Sequence, residues 1–596
     1  MSEQARGVLE AARQSLARWS KVPLAFSPSE SQQLFALTLV IGGLCGLAAV
    51  AFHLLINLVS SLAIDRALAA AGNAWIPWTL LVPTMGGLIS GAVLQYLVPN
   101  ARGSGVPQIK VAYATPGAGL RLRDSVGKFF VSALQIGTGA SLGREGPTVQ
   151  ICAGIASRIG RAVGLSPQSL RRLLPVGAAA GIAAAFNAPI AAVTFTIEEV
   201  VGTLDQTVLS GVVVAAAIAA IVERSVLGVH PVFTVPREYG LEHVSSLLLY
   251  ALLGLIAAGL SLAFTDSLLA LRRWFKDTRR LPPWMHPAVG GLVTGALAVV
   301  ARIGFHAQGV TGGGYETLGA ALSGKLAVLV LVPLCLFKLV STVFSYSSGG
   351  AGGIFAPSLF IGVTAGGAIG ALDMAVFHHT EESMGAFALV GMGAVFAGII
   401  RAPITSVLIV VEMTGEYSLI LPLMIANMMA YGIARHFRPT PIYEALLEQD
   451  GVHLRHDSLA ESLQGVRLSE VPLDHRPYTT FTPSTGLTTL LQALSEKNRQ
   501  EVFPVLQAER LIGVITLVDL MTLGAQRDLE GVVNAADVMR PPIALRPDDD
   551  LRAAFETMLA QGVRELPATD REGRIIGFVD ETSIAHATME ARRRGS

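Results

Sequence analysis

Apolar residues run in long blocks from about Leu34 to about Met429, and the character of the chain changes after Arg435. Blocks of this length, broken only by short polar loops, predict membrane-spanning helices rather than the striped helices of a soluble core. From residue 447 onward the pattern is charged, with short strand-like and helix-like stretches, which predicts a soluble tail behind a membrane domain. Ahead of the first apolar run stand Arg6, Arg13, Arg18 and Lys21 among helix formers, so residues 1–33 read as a cytoplasmic segment and not as a cleavable signal.

The apolar region repeats itself. PTMGGLISG from Pro83 is answered by PAVGGLVTG from Pro287, 204 residues later. GSG at Gly103 is answered by GVTGGG at Gly309, and GREGP at Gly143 by GIFAP at Gly353. Gly177, Ala188-Pro189-Ile190 and Glu198 match Gly391, Ala402-Pro403-Ile404 and Glu412, each 214 residues on. Four correspondences in one order indicate a duplication, with halves at about 34–228 and 243–446. The loops before the paired prolines set its sense. The first holds one basic residue, Arg66; the second holds Arg272, Arg273, Lys276, Arg279 and Arg280. Basic loops stay in the cytoplasm, so equivalent loops are expected on opposite faces and the halves inverted, with both chain termini cytoplasmic. Trp75 and Trp78 suit the outer interface, Trp274 and Trp284 the inner one.

Composition narrows the classes further. Hydrophobic residues make up 52% and charged ones 15%, and the mean hydropathy is +0.54, too apolar for a soluble chain of 596 residues. Zero net charge removes a global electrostatic case for nucleic acid. The 62 glycines suit close helix contacts and broken helices in lipid. Cys45, Cys152 and Cys335 lie far apart in apolar stretches without metal-ligand spacing and read as core residues.

Inverted repeats are a transporter architecture, with the site near the midplane where discontinuous helices end. Backbone N–H groups at such breaks carry partial positive charge, which suits an anion. Ser104 stands between two glycines that allow close backbone approach, and its hydroxyl can donate to an anion. Glu145 is a carboxylate beside a helix-opening Gly-Pro inside the membrane region, where an acid is costly unless used. Ionised, it can occupy an anion site as a tethered surrogate; protonated, it loses that attraction and can swing away. A salt bridge to Arg144 is the bland alternative.

GSGVP (Gly103 to Pro107), GREGP (Gly143 to Pro147) and GGIFAP (Gly352 to Pro357) resemble the three signature segments of CLC chloride channels and chloride/proton exchangers, over about residues 34–446. The resemblance implies an all-α polytopic membrane protein of CLC type, an inverted repeat with discontinuous helices, assembled as a homodimer with one pathway per subunit. It implies chloride held by Ser104, by Tyr443 of PIYEALL and by the amides of Ile354 and Phe355, with Glu145 as the external gate. Without the resemblance Tyr443 reads as an interfacial belt tyrosine. Glu198 and Glu199 end the run APIAAVTFTI; Glu198 has its repeat mate in Glu412 and reads as structural, whereas Met413 stands opposite Glu199. In CLC exchangers the second acid of such a pair relays protons; alone it reads as a solvated helix end. Lys128 adds positive potential to the path or snorkels. The usual continuation GIPEIEG departs to Gln108-Ile109-Lys110.

The tail repeats as well. EVFPVL then LIGVITLVDL, and RELPAT then IIGFVDETSI, resemble a pair of CBS domains at 471–530 and 531–590, after a linker at 447–470. Such pairs often bind adenine nucleotides. Thr516 and Asp519 of the first copy could reach a phosphate and a ribose; the second copy carries Asp580 and Ser583 instead. A purely structural dimerising module is the alternative.

The expectation is a multi-pass cell-membrane protein that exchanges chloride for protons, its partners being those two ions, the bilayer and a second copy. No metal and no required cofactor are expected. A voltage- or proton-gated passive chloride channel is the nearest alternative, disfavoured by the acid at Glu199. A fluoride exporter is disfavoured by Ser104 and GREGP. An intramembrane hydrolase lacks a base beside Ser104 or Glu145 in sequence, so the chain is not expected to be an enzyme. A CBS-bearing magnesium channel lacks membrane carboxylates for oxygen ligation.

Overall fold

The computed structural model describes residues 30–594 except 116–118, 203–205, 229–232, 234–238, 240–245, 279, 380–381, 454–465, 495–499 and 525–532. Arg6, Arg13, Arg18, Lys21 and Arg279 lie outside the described residues. The chain divides into two compact units, residues 1–454 and 455–596.

Among the described residues, the regular elements of the first unit are helices. Its first half runs α1 (Glu30–Leu62), a short α2 (Ile64–Leu68), α3 (Trp75–Tyr96), α4 (Val106–Ala114), α5 (Leu122–Gly137), α6 (Glu145–Val163), α7 (Pro167–Phe186), α8 (Pro189–Phe195, continued by a wide turn over Thr196–Val201) and α9 (Gln206–Leu227). The second half repeats the order: α10 (Ser246–Asp277), α11 (His286–Phe305), α12 (Tyr315–Leu322), α13 (Val328–Ser347), α14 (Phe355–Phe377), α15 (Glu382–Ile400), α16 (Pro403–Thr414) and α17 (Ile420–Phe437). A last helix, α18 (Ile442–Gln449), follows both. Every helix of the first half except α2 has a counterpart at the same place in the second.

Among the described residues seven helical segments are long and apolar enough to cross a membrane: α1 with α2, α3, α9, α10, α11, α13 and α14. Helices of both halves begin at prolines that fit where N–H groups have no intrahelical partner: Pro107, Pro147, Pro189, Pro357 and Pro403 each stand in a first turn. Broken helices survive inside a membrane only when protein covers them. The first turns of α6 and α14 are accordingly buried.

Glycine explains how the halves meet. α3 and α11 are repeat mates and cross at their paired glycines: a Cβ on Gly87 would lie 2.3 Å from the Pro287 carbonyl oxygen, and one on Gly291 would lie 2.1 Å from that of Pro83. The motif is kept in both halves because each backbone uses it to approach the other. Gly143 and Gly353, also mates, exchange two N–H···O=C bonds of 2.7 Å each. This small antiparallel bridge locks the starts of α6 and α14 beside each other.

The second unit holds two antiparallel hairpins, β1 (Val502–Gln507) with β2 (Arg510–Thr516) and β3 (Glu565–Thr569) with β4 (Ile575–Asp580). Helices at Leu487–Gln492 and Leu517–Gly524 flank the first, and helices at Leu551–Gln561 and Glu581–Arg594 the second. Glu565 joins the copies by accepting from the amides of Glu501 (2.6 Å) and Val502 (3.1 Å).

Candidate functional site

Three chain breaks converge in the middle of the first unit. Gly103 and Gly105 take positive φ angles of 77° and 104°, turning the chain sharply on each side of Ser104 before α4. A Cβ on Gly146 would lie 2.4 Å from the Ser104 carbonyl oxygen and 3.3 Å from Cα of Gly353. Only glycine lets the Ser104 loop, the start of α6 and the start of α14 close on one another. The first-turn amides of α14 have no intrahelical acceptor, and its N-cap residue Ile354 provides no side-chain bond to them.

Ser104 and Tyr443 are fully buried, and neither hydroxyl closes a hydrogen bond within the protein. A buried hydroxyl without a partner is costly, so two together mark a site built to donate to something else. Tyr346 of α13 is their neighbour and interacts with both. Sequence reasoning missed Tyr346. Its contact runs to the Gly103 loop, where a Cβ would lie 3.4 Å from its hydroxyl, and nothing in the local pattern SYS signals it.

Glu145 opens α6 and is fully buried. Its Oε1 accepts from the Tyr315 hydroxyl at the start of α12. The carboxylate lies against the amides of Glu145 itself and of Ala356, while Oε2 closes no hydrogen bond. Arg144 turns elsewhere: its guanidinium stacks over the Tyr315 ring at 5.3 Å and donates to the Ala185 carbonyl at 3.2 Å. Tyr315 was also missed, because a bond across 170 residues leaves no local trace. Phe355 packs its ring among Phe186, Phe195 and Phe396 at 4.9–5.7 Å, which fixes the start of α14.

Glu199 lies on the wide turn after α8 and is buried. It is no solvated helix end: Lys110 Nζ donates to its Oε1 at 2.8 Å and to Glu444 Oε1 at 3.1 Å. Tyr443 lies within electrostatic reach of both Glu145 and Glu199.

Two buried lysines brace the site's loops. Lys128 donates to the carbonyls of Ala101 (2.9 Å) and Gly103. Lys338 donates to those of Gly309 (3.1 Å), Val310 (3.3 Å) and Gly312 (2.7 Å). Both are fully buried, so Lys128 does not snorkel. Sequence reasoning noted Lys128 and overlooked Lys338, although the pair is spaced as Gly143 and Gly353 are. A cavity of about 790 Å³, lined in part by Arg102, Gly103, Arg272, Lys276, Tyr346 and Asp450, reaches the Ser104 loop. Its cations suit an approaching anion.

In the tail, Thr516 donates to Asp519 from its amide (3.0 Å) and hydroxyl (2.7 Å). Arg540 grips the same carboxylate at 2.6 and 2.9 Å. Burial works to raise the Asp519 carboxyl, but Arg540 and Thr516 outweigh it and hold it below the ordinary carboxylate range. In the second copy Ser583 donates to Asp580 from its amide and hydroxyl, both at 2.8 Å. The two copies make the same pair with its members exchanged.

The family model for the voltage gated chloride channel matches residues 86–435, and that for the CBS domain matches 468–525 and 535–590. The H(+)/Cl(-) exchange transporter ClcA of Vibrio campbellii is 34% identical over 455 residues, covering 73% of this chain and 92% of its own. A slow cyanobacterial Cl⁻/H⁺ antiporter of known structure superposes with a TM-score of 0.63 at 26% identity, covering 70% of this chain and 97% of its own. A CLC-type fluoride/proton antiporter does so with a TM-score of 0.57 at 25% identity, covering 70% and 99%. The chain belongs to the voltage-gated chloride channel family, the CLC proteins, and carries a pair of CBS domains behind its multi-pass membrane unit.

Proposed function

We propose that this protein exchanges chloride for protons across a cell membrane. The observation that carries the reading is Glu145. It is a buried carboxylate at the start of α6, lying against an amide of the facing helix end and tethered by a single tyrosine. An ionised carboxylate there takes the place of a chloride. When protonated it loses its attraction to the helix end and withdraws, opening the site and carrying a proton with it. Chloride is then held by the hydroxyls of Ser104 and Tyr443, neither of which closes a hydrogen bond within the protein, and by the amides of Ile354 and Phe355. Glu199 delivers the proton.

The similarity to proton exchangers supports coupled transport. Ser104 and the GREGP segment favour chloride over fluoride, as does the 34% identity to a chloride exchanger. We place both termini in the cytoplasm on the charge of the loops, a second copy beside the first, and an adenine nucleotide on Thr516 and Asp519. The zero-current voltage of the protein in a planar bilayer, under opposed chloride and proton gradients, tests the exchange. Exchange sets it between the two equilibrium potentials; a voltage that follows chloride alone identifies a passive channel. Replacing Glu145 by alanine is expected to leave chloride flux and abolish its proton coupling.

A further inference from the structure

Lys110 occupies the place where the chain departs from the usual signature, and it faces two acids. Its ammonium lies 2.8 Å from Glu199 and 3.1 Å from Glu444, the residue after Tyr443. The three side chains grade from inside to outside: those of Glu199 and Lys110 are 5% and 9% exposed, and that of Glu444 is 20% exposed. Of the two acids, Glu444 is the more exposed.

Resting on the exchange reading, we propose that Glu444 is the proton intake of this transporter and that Lys110 passes the proton from Glu444 to Glu199. With all three groups ionised the cluster carries one net negative charge and so accepts one proton without building positive charge. A proton arrives on the Glu444 carboxylate. Lys110 gives one of its own protons to Glu199 and takes the proton from Glu444. The ammonium is restored, Glu444 is ionised again, and Glu199 is neutral. Three N–H donors on a flexible stem suit this exchange, because Lys110 already bonds both acids at once. Among the described residues, charged groups acting on Glu199 include Lys110, Glu444 and Glu198, and the Glu198 carboxylate accepts from amides at the start of α16. Glu444, by contrast, shares the Lys110 ammonium with Glu199. Glu444 is one position from Tyr443, and its Oε1 accepts from Lys110.

The test compares unaltered protein, Glu444→Gln and Glu444→Asp in liposomes, with chloride and proton fluxes recorded together. Glu444→Gln is expected to lower proton flux at least about tenfold more than chloride flux, and Glu444→Asp to restore most of the coupling. An unchanged proton-to-chloride ratio in Glu444→Gln overturns the intake while leaving the exchange reading intact. A proportionate fall of both fluxes, without rescue by Glu444→Asp, shows a structural role only and overturns it as well. Unaltered protein that moves no protons removes the exchange reading and the intake together.

Discussion

Glu198 and Glu412 cap each other's half of the molecule. The Glu198 carboxylate accepts from the amides of Ile404 and Thr405 at 3.1 and 2.8 Å, at the start of α16. The Glu412 carboxylate accepts from the amides of Ile190 and Ala191 at 3.1 and 2.7 Å, at the start of α8. Each acid ends a helix of its own half and neutralises the helix end of the other. Reciprocal contacts of equal geometry require a twofold relation between the halves, and they explain why a glutamate persists at both repeat positions.

The match in geometry makes a quantitative prediction. Replacing either acid by alanine leaves two amides at a helix start without an acceptor, a loss of about 1–2 kcal/mol. Glu198 also accepts from the Thr405 hydroxyl at 2.6 Å, so Glu198→Ala is expected to cost up to about 1 kcal/mol more than Glu412→Ala. Thermal unfolding of the purified protein measures both. A Glu412→Ala variant that unfolds like the unaltered protein would contradict the mutual capping.

The repeat was legible because duplication leaves its trace in residue types fixed by backbone geometry. The paired glycines at Gly87 and Gly291, the prolines of the helix starts and the mates Glu198 and Glu412 could all be read from spacing. Tyr315, Tyr346 and Glu444 could not. Each acts across a contact between distant segments and stands in a sequence that any helix end accepts. Lys338 is a different case. Its spacing from Lys128 carried the signal, but an isolated lysine in an apolar run reads as an interfacial residue unless its repeat mate is sought.

Tyr315 holds Glu145 by one charge-assisted hydrogen bond, and such bonds contribute about 1.5–3 kcal/mol. Tyr315→Phe keeps the ring under Arg144 and removes only the hydroxyl. The withdrawn position of Glu145 is then favoured, and chloride turnover at fixed pH is expected to rise by about tenfold or more. Flux from chloride-loaded liposomes reports the change. A fall in turnover would mean that Tyr315 assists the opening of Glu145 rather than restraining it.

The pair Asp519 and Arg540 predicts a pH dependence in the tail. The Asp519 carboxyl is lowered in the folded protein, since Arg540 and Thr516 outweigh its burial. The stabilisation is therefore present above the unfolded value of about 3.9 and is lost as pH falls through the lower folded value. Arg540 is 40% exposed, so solvent screens the pair to about 1 kcal/mol or less. Asp519→Asn is expected to make the tail more protease-sensitive near neutral pH. The difference from the unaltered protein should vanish in acid. A difference that widens as pH falls would reverse the sign of the linkage.

Lys128 and Lys338 separate a shared structural role from unequal functional ones. Each ammonium is buried and spends its protons on carbonyls of the glycine loop in its own half. Methionine fills the same space without a donor and leaves two carbonyls unpaired in each variant, those of Ala101 and Gly103 in Lys128→Met and those of Gly309 and Gly312 in Lys338→Met, where Val310 keeps the Ser341 hydroxyl. Both variants are expected to lose at least about 2 kcal/mol of stability, since each unpaired buried group costs about 1–3 kcal/mol. Their transport effects should differ because the loops lead to different residues. Gly103 adjoins Ser104, so Lys128→Met is expected to weaken chloride binding, read by isothermal titration. Gly312 lies just before Tyr315, so Lys338→Met is expected to free Glu145 and raise turnover in the manner of Tyr315→Phe, while chloride affinity holds. Identical transport phenotypes in the two variants would show that the lysines serve the scaffold alone and that the loops do not transmit their positions to Ser104 and Glu145.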